Sequence, residues 1–398
     1  MDNYDVVVAG TICLDLTPTF KEVTESRVQD IFVPGKLRDM DKLSVSTGGP
    51  VSNTGLNLIK LGIGTRFMGK IGRDFIGSGV LGLLGKYDGA ADSMRVVEGE
   101  DTSYTVVIVP KGFDRIFLHC GGANHSFGAE DIDYDVVSRA KIFHLGYPTI
   151  MKRLYENNGS ELIRIFKRVK ELGVTTSLDM SLPDPKGESG RMDWDAVLRE
   201  LLPYVDIYLP SAEETMYMID RPEYERLLES AGEADMLENL DINALSGLGK
   251  RLLSYGSKIV AVKSGVKGFY LATAGADRLK KMGKAVPADM DNWANRELHE
   301  ESFKVPVVSA TGSGDSAIAG FLAAYLKGMP IEEALKAACC VGGQNVQVLD
   351  AVSGVKTFDE TVRLMRSWPK NKLAVAGDYF RYIPEKQVFA GKGDRLHG

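Results

Sequence analysis

Short runs rich in β-branched and aromatic residues alternate with helical segments through most of this sequence, and no other feature constrains the fold as much. The runs are YDVVVAG (4–10), TRFMGKIG (65–72), KIFHLGY (141–147), VTTSLDM (174–180), DIYLP (206–210) and KIVAVKSG (258–265). Between them, helical spacing of apolar residues marks 50–61, 159–172, 193–202 and 242–255. Strands alternating with helices predict an α/β fold with a mostly parallel sheet covered on both faces. Ligands of such sheets sit beyond the carboxyl ends of the strands. Two segments break the rhythm. Residues 16–47 are polar, punctuated by Pro and Gly, and carry no clear helix, while residues 102–119 read as a hairpin around a Gly turn. Together they predict a small β layer projecting from the sheet. Residues 275–303 read as charge-rich and irregular, and the tail after Gln387 reads as a loosely held end.

The bulk properties exclude several classes. At 398 residues the chain accommodates one large α/β domain with additions, or two domains. A net charge of −6 offers no basic field for nucleic acid or an anionic membrane. The start, MDNYDVVVAG, lacks the basic and apolar regions of a signal peptide, and no apolar run is long enough to span a bilayer. Cys13, Cys120, Cys339 and Cys340 form no CxxC pair, which predicts reduced thiols in a cytoplasmic protein. The five histidines do not cluster at metal-binding spacing. There is no internal repeat and no low-complexity tract.

Candidate chemistry collects in the glycine-rich turns. In SATGSGDSAIAGFLAA (309–324), Ile318, Phe321, Leu322, Tyr325 and Leu326 trace the apolar stripe of an amphipathic helix, which Gly328 and Pro330 stop. Gly312, Ser313 and Gly314 therefore stand at a helix N-terminus, where unpaired N–H groups favour an anion. Asp315 suits a general base beside a phosphate being transferred; the alternative is a tight turn with Asp315 or Ser316 as N-cap. GGPVSNTGLNLIKLG (48–62) is a Gly48–Gly49 turn into a helix, with Asn53 offering a two-way amide to a polar ligand, or a plain cap. Asp15 follows the first strand and can accept two vicinal hydroxyls, or can be a solvated loop residue. Past DIYLP, Ser211 and Glu214 read either as a site for hydrated Mg²⁺ or as a capped first turn. KSGVKG (263–268) suits backbone contact with a nucleotide, or an ordinary hairpin. GTRFMGKI (64–71) fails as a P-loop because Ile71 stands where a metal-binding hydroxyl belongs. GTICLD lacks the dinucleotide fingerprint, which disfavours a dehydrogenase.

In order, these motifs resemble the ribokinase-like (PfkB) sugar kinase family over about residues 4–365. ATGSGDSAIAGFLAAYLKG is similar to its C-terminal signature, GGPVSN…LIKLG with GKIGRDFIG to its N-terminal one, and GGANHSFGAEDID (121–133) to the segment after its lid hairpin. The resemblance implies a three-layer sandwich with a β lid. The core would comprise 1–15, 48–98 and 122–385, the lid 16–47 and 99–121, and the tail 386–398. It implies an ATP-dependent phosphotransferase using Mg²⁺ and acting on a hydroxymethyl group. Asp315 matches the catalytic base, and Gly312, Ser313 and Gly314 match the anion hole. Asp15, Gly48, Gly49 and Asn53 match substrate contacts. Ser211, Lys263, Ser264, Gly265, Gly268 and Cys339 match nucleotide contacts, and Glu214 the metal position. A homodimer through the lid is a further implication.

This chain departs from the family at several points. Ser211 replaces the Asn of an NxxE motif, and Ser309 replaces an Asp linked to monovalent-cation binding. His144 and Gly146 stand where the ribokinase subgroup has a carboxylate, which argues against ribose as the acceptor. Within the same fold, a nucleoside or sugar-phosphate acceptor and a catalytically silent sugar-binding regulator are the rival readings. Lys36, Arg38, Arg73 and Arg115 are the basic candidates for a phosphate-bearing acceptor.

Overall fold

The apolar runs become strands close to their predicted limits. They are β1 (Tyr4–Gly10), β4 (Thr65–Met68), β9 (Ala140–Gly146), β10 (Thr175–Asp179), β11 (Ile207–Tyr208) and β12 (Ile259–Lys263). The computed structural model describes every residue except 1–3, 22, 26, 111, 112, 114, 115, 233, 234, 374, 376 and 398. The remaining strands of the main sheet are β13 (Phe269–Thr273), β14 (Glu297–Glu300), β15 (Phe380–Ile383) and β16 (Val388–Gly391). The ten strands run β15-β16-β14-β13-β12-β11-β10-β9-β1-β4. From β4 to β12 every pair is parallel, and from β12 to β15 every pair is antiparallel.

The alternation of side chains along β1 shows why the parallel half reads as unbroken apolar runs. Val7 and Ala9 face a core with Phe143 and Phe166, whereas Val6 and Val8 face a second core with Ile318 and Leu322. Burying each such side chain stabilises the fold by roughly 1.5–3 kcal/mol. The helix Ser313–Leu326 belongs to that second core and is buried from Asp315 to Tyr325. It therefore differs from the predicted amphipathic stripe. The helix Ile331–Asn345 packs on its outer side, and a side chain at Gly320 would press on Ala337 and Val341.

The segments that break the rhythm form a separate sheet. Its strands are β2 (Cys13–Phe20), β3 (Met40–Gly48), β7 (Tyr104–Ile108) and β8 (Ile116–Cys120), in the order β3-β2-β7-β8. The 102–119 hairpin is β7 with β8, and the turn residues Gly112 and Arg115 lie outside the described residues. Among the described residues of 16–47, a short helical turn, Val28–Ile31, stands between β2 and β3. The run TRFMGKIG splits, so that Lys70–Gly72 (β5) leaves the main sheet to pair with Arg95–Val97 (β6).

Two expectations are corrected. Residues 275–303 are not irregular throughout, because ELHE forms the fully buried strand β14. Its charges are met locally: Tyr379 OH donates to Glu297 Oε2 at 2.8 Å, and Glu300 pairs with Lys370. The tail after Gln387 is not loose either. Its strand β16 lies in the sheet, and the buried Asp394 accepts from Arg296 Nε and Glu297 N, each at 2.8 Å.

Candidate active site

At the start of Ser313–Leu326, Gly312 is the N-cap in a left-handed conformation (φ 69°), where a side chain would run into Ala351. Asp315 is consequently not the N-cap. It sits in the first turn, 1% exposed, with its carboxylate turned toward the helix Pro50–Lys60. Asn53 Nδ2 donates to Asp315 Oδ2 at 2.9 Å, Tyr147 OH donates to the same oxygen at 3.0 Å, and Thr54 Oγ1 donates to Oδ1 at 3.2 Å. Burial raises the Asp315 pKa against the lowering effect of these donors and of the Lys263 charge. A carboxylate so placed is both oriented and a stronger proton acceptor. The Oδ1 of Asn53 is buried without a partner, an acceptor suited to a ligand hydroxyl. Asn53 N in turn donates to Gly49 O at 2.8 Å, and a side chain at Gly48 would run into the carboxylate of Asp15. Asp15, Gly48, Gly49, Asn53 and Asp315 thus form one connected group. Cys13 Sγ donates to Asp15 Oδ1 at 3.3 Å, and burial raises the Asp15 pKa.

On the other side of the Gly-Ser-Gly turn lies a cleft enclosing about 230 Å³. Lys263, Ser264, Gly265, Gly268, Ser313, Gly314 and Cys339 all line it. The turn KSGVKG is the hairpin connection between β12 and β13, and it borders this cleft. The cleft's other walls are largely apolar, which suits the faces of a heterocyclic base. The Ser313 N–H is turned inward to Ala310 O at 3.2 Å, while the next amides have no intrahelical acceptor.

Lys263 joins the two sides. Its Nζ pairs with Asp179 and donates to Leu209 O at 2.7 Å, and its stem lies against Gly314. Burial opposes the ammonium charge, but Asp179, Glu214 and Asp315 together raise the Lys263 pKa and keep it charged. Ser211 does not line the cleft. Its Oγ accepts from Glu214 N at 3.1 Å, and Glu214 Oε2 accepts from Ser211 N at 2.7 Å, a capping box. Glu214 stays partly exposed, and no group of three metal-ligating side chains exists among the described residues. One open carboxylate fits an ion that keeps most of its water, as Mg²⁺ does.

Three contributors carried no motif. Thr54 and Tyr147 are recognisable only by their contact with Asp315, and Tyr147 is a non-glycine residue at φ 65°. Asp179 stands at the carboxyl end of β10, a position the sequence marks, whereas Asp15 lies inside the strand β2 and not at the end of β1. His144 is a core residue: its Nδ1 contacts Ser177 Oγ at 2.9 Å, and burial lowers its pKa to about 3. Of the basic candidates, Arg38 and Arg73 pair with Glu25 and Glu98, Lys36 is exposed, and Arg115 lies outside the described residues.

The family described as pfkB family carbohydrate kinase matches residues 5–357. An uncharacterized sugar kinase of Archaeoglobus fulgidus is 27% identical over 278 residues, 70% of this chain and 89% of that protein. A fructokinase of Solanum tuberosum is 22% identical over 372 residues, 91% of this chain and 95% of its own. Among solved structures, Arabidopsis thaliana ribokinase complexed with ribose and ATP has a TM-score of 0.66 at 22% identity, covering 92% of this chain and 99% of that one. No helix among the described residues is long and apolar enough to cross a membrane. With a fold of the ribokinase type and a family match over nearly its whole length, the chain belongs to the pfkB family of carbohydrate kinases.

Proposed function

We propose that this enzyme transfers the γ-phosphate of ATP to a hydroxymethyl group of a sugar or sugar-like acceptor. The observation that carries the reading is the buried Asp315 carboxylate, held by Asn53, Thr54 and Tyr147 at the helix start that also borders the cleft. The acceptor lies on the side of Asp15, Gly48, Gly49 and Asn53. Its hydroxyl donates to Asp315, which takes the proton as the oxygen attacks phosphorus. The amides of Gly314 and Asp315, which follow the paired Ser313 N–H, and the Lys263 ammonium face the transferred group, where charge collects in the transition state. ATP occupies the cleft lined by Lys263, Ser264, Gly265, Gly268 and Cys339. Glu214 would hold Mg²⁺ through water, and that ion neutralises phosphate charge when bound.

The lid sheet closes over the acceptor and excludes water, which otherwise competes as a nucleophile. Its outer strands expose Leu43, Val45, Phe117 and Leu118, and we place a homodimer contact there. The protein is assigned to the cytoplasm, where its reduced thiols and ATP are compatible. ATP turnover with a panel of sugars, sugar acids, polyols and nucleosides tests the reading, with release of ADP as the signal. Sugar-dependent turnover is expected. A folded protein that binds a sugar but produces no ADP with any acceptor is a silent regulator, and the kinase reading then falls.

A further inference from the structure

Residues 368–373 follow the last long helix, Phe358–Ser367, and lie beyond the part of the chain that matches the family. They carry no motif, yet they are tightly fixed. Lys304 N donates to Pro369 O and Asn371 N donates to Ser302 O, each at 2.8 Å, so the segment runs antiparallel to 302–304. Trp368 packs edge-on against Phe303 at 6.1 Å, and Lys370 pairs with the buried Glu300. Asn371 lines the same cleft as Lys263 and Gly314.

The cleft has a charged end and an apolar end. Lys263 lies against Gly314 at the first. At the second, Gly343 lies against Trp368, Phe303 and Val305, and Asn371 and Ser302 bring polar atoms into these surroundings. A nucleotide with its phosphates at the helix start has these apolar walls, with Asn371 and Ser302 among the lining residues, open to its base.

The hydrogen bonds also fix which way the Asn371 amide points. Asn371 Nδ2 donates to Ser302 Oγ at 2.8 Å, and Ser302 Oγ spends its proton on Val266 O at 2.5 Å. Nδ2 also approaches Phe303 O at 3.4 Å. The flipped amide would set an acceptor against two acceptors, so Oδ1 is the atom left over. No donor reaches Oδ1 among the described residues. A lone carbonyl oxygen at the base end attracts an amino group and repels a carbonyl. That distinguishes adenine, with its exocyclic amine, from guanine, with an oxygen at the same ring position.

We propose that Asn371 determines nucleobase specificity, selecting adenine over guanine by accepting a hydrogen bond from the exocyclic amine. The inference rests on ATP occupying this cleft, as proposed above. The test compares ATP with GTP as phosphate donor at saturating sugar, and the binding of their non-hydrolysable analogues, for wild type, Asn371→Ala and Ser302→Ala. Wild type is expected to prefer ATP. Asn371→Ala should raise KM for ATP about tenfold, the loss of roughly one good hydrogen bond. Its kcat and its KM for sugar should stay within about twofold, and KM for GTP should not rise. Ser302→Ala, which frees the amide to rotate, should weaken the preference in the same direction and less. A folded Asn371→Ala enzyme with an unchanged ATP-to-GTP ratio of kcat/KM overturns the assignment while leaving the kinase reading intact. If Asn371→Ala does not fold, an unchanged ratio in Ser302→Ala overturns it instead. Wild-type protein that binds neither analogue overturns both.

Discussion

The wall that carries Asp315 and the lid strand that carries Asp15 are built on opposite plans. On the Asp315 wall, every residue from 315 to 325 is buried, and the carboxylate is held by side chains from two other elements. The lid is a single four-stranded layer, and most of β3 is exposed. Its attachments are local: Thr102 N donates to Asp74 Oδ2 at 2.7 Å, and Asn124 Nδ2 donates to Ile12 O at 2.9 Å. Under the proposed function the two plans suit different duties. Groups that must meet charge developing in a transition state gain from being fixed in advance. A cover that must admit substrate and release product gains from burying little of its own.

The sharpest way to break this contrast is Asp315→Asn. If the wall does the chemistry, the amide cannot take a proton, and kcat should fall by roughly 10²–10⁴. Nucleotide binding should survive, as equilibrium binding of a non-hydrolysable analogue would show. A variant that keeps most of its activity removes Asp315 from the mechanism. Next in size is Lys263→Met, which leaves Asp179 buried beside Asp315 and Glu214 without its cation. Breaking such a pair costs about 3–5 kcal/mol, read as a lower denaturation midpoint together with weaker nucleotide binding.

Tyr147→Phe tests how far the wall tunes its base. The Tyr147 hydroxyl lowers the Asp315 pKa, so its loss raises it. The base works deprotonated, so activity is lost as pH falls through that pKa, and the acid limb of the kcat profile should move to higher pH. An unmoved limb would separate Tyr147 from the base. A smaller effect is expected from Glu214→Gln, which should raise the Mg²⁺ requirement several-fold and leave sugar affinity unaltered. Unchanged Mg²⁺ dependence would leave Glu214 a helix cap only. Last, hydrogen exchange in residues 16–47 and 99–121 should slow on sugar binding while the helix Ser313–Leu326 hardly changes. Exchange in the lid that ignores the sugar would mean that the two walls do not differ in mobility.

How much of this was legible depended on whether a residue's role is local. The parallel strands were readable because burial on both faces demands apolar residues at every position, as in YDVVVAG. Strand β14 was not, because ELHE is polar and becomes buried only through Tyr379, Tyr270 and Lys370. The apolar spacing on Ser313–Leu326 marks the helix but not its burial all round, since its small residues make room for a neighbouring helix. The Gly-rich turns are visible because a backbone held at positive φ, as at Gly49, Gly265, Gly268 and Gly312, favours little else there. Tyr147, Asp179 and Asn371 had no such local necessity.

The amino-acid order by itself therefore determined the alternation of strands and helices, the hairpin of residues 102–119, and the glycine-rich turns that precede the helices carrying Asn53 and Asp315. These depend on side-chain periodicity and backbone freedom, which act over a few residues. Tertiary structure alone decided that Tyr147 meets Asp315 across 168 residues of chain, that Lys263 meets Asp179 across 84, and that the tail completes the sheet. Such contacts arise because a buried polar group must find a partner wherever the packed chain supplies one.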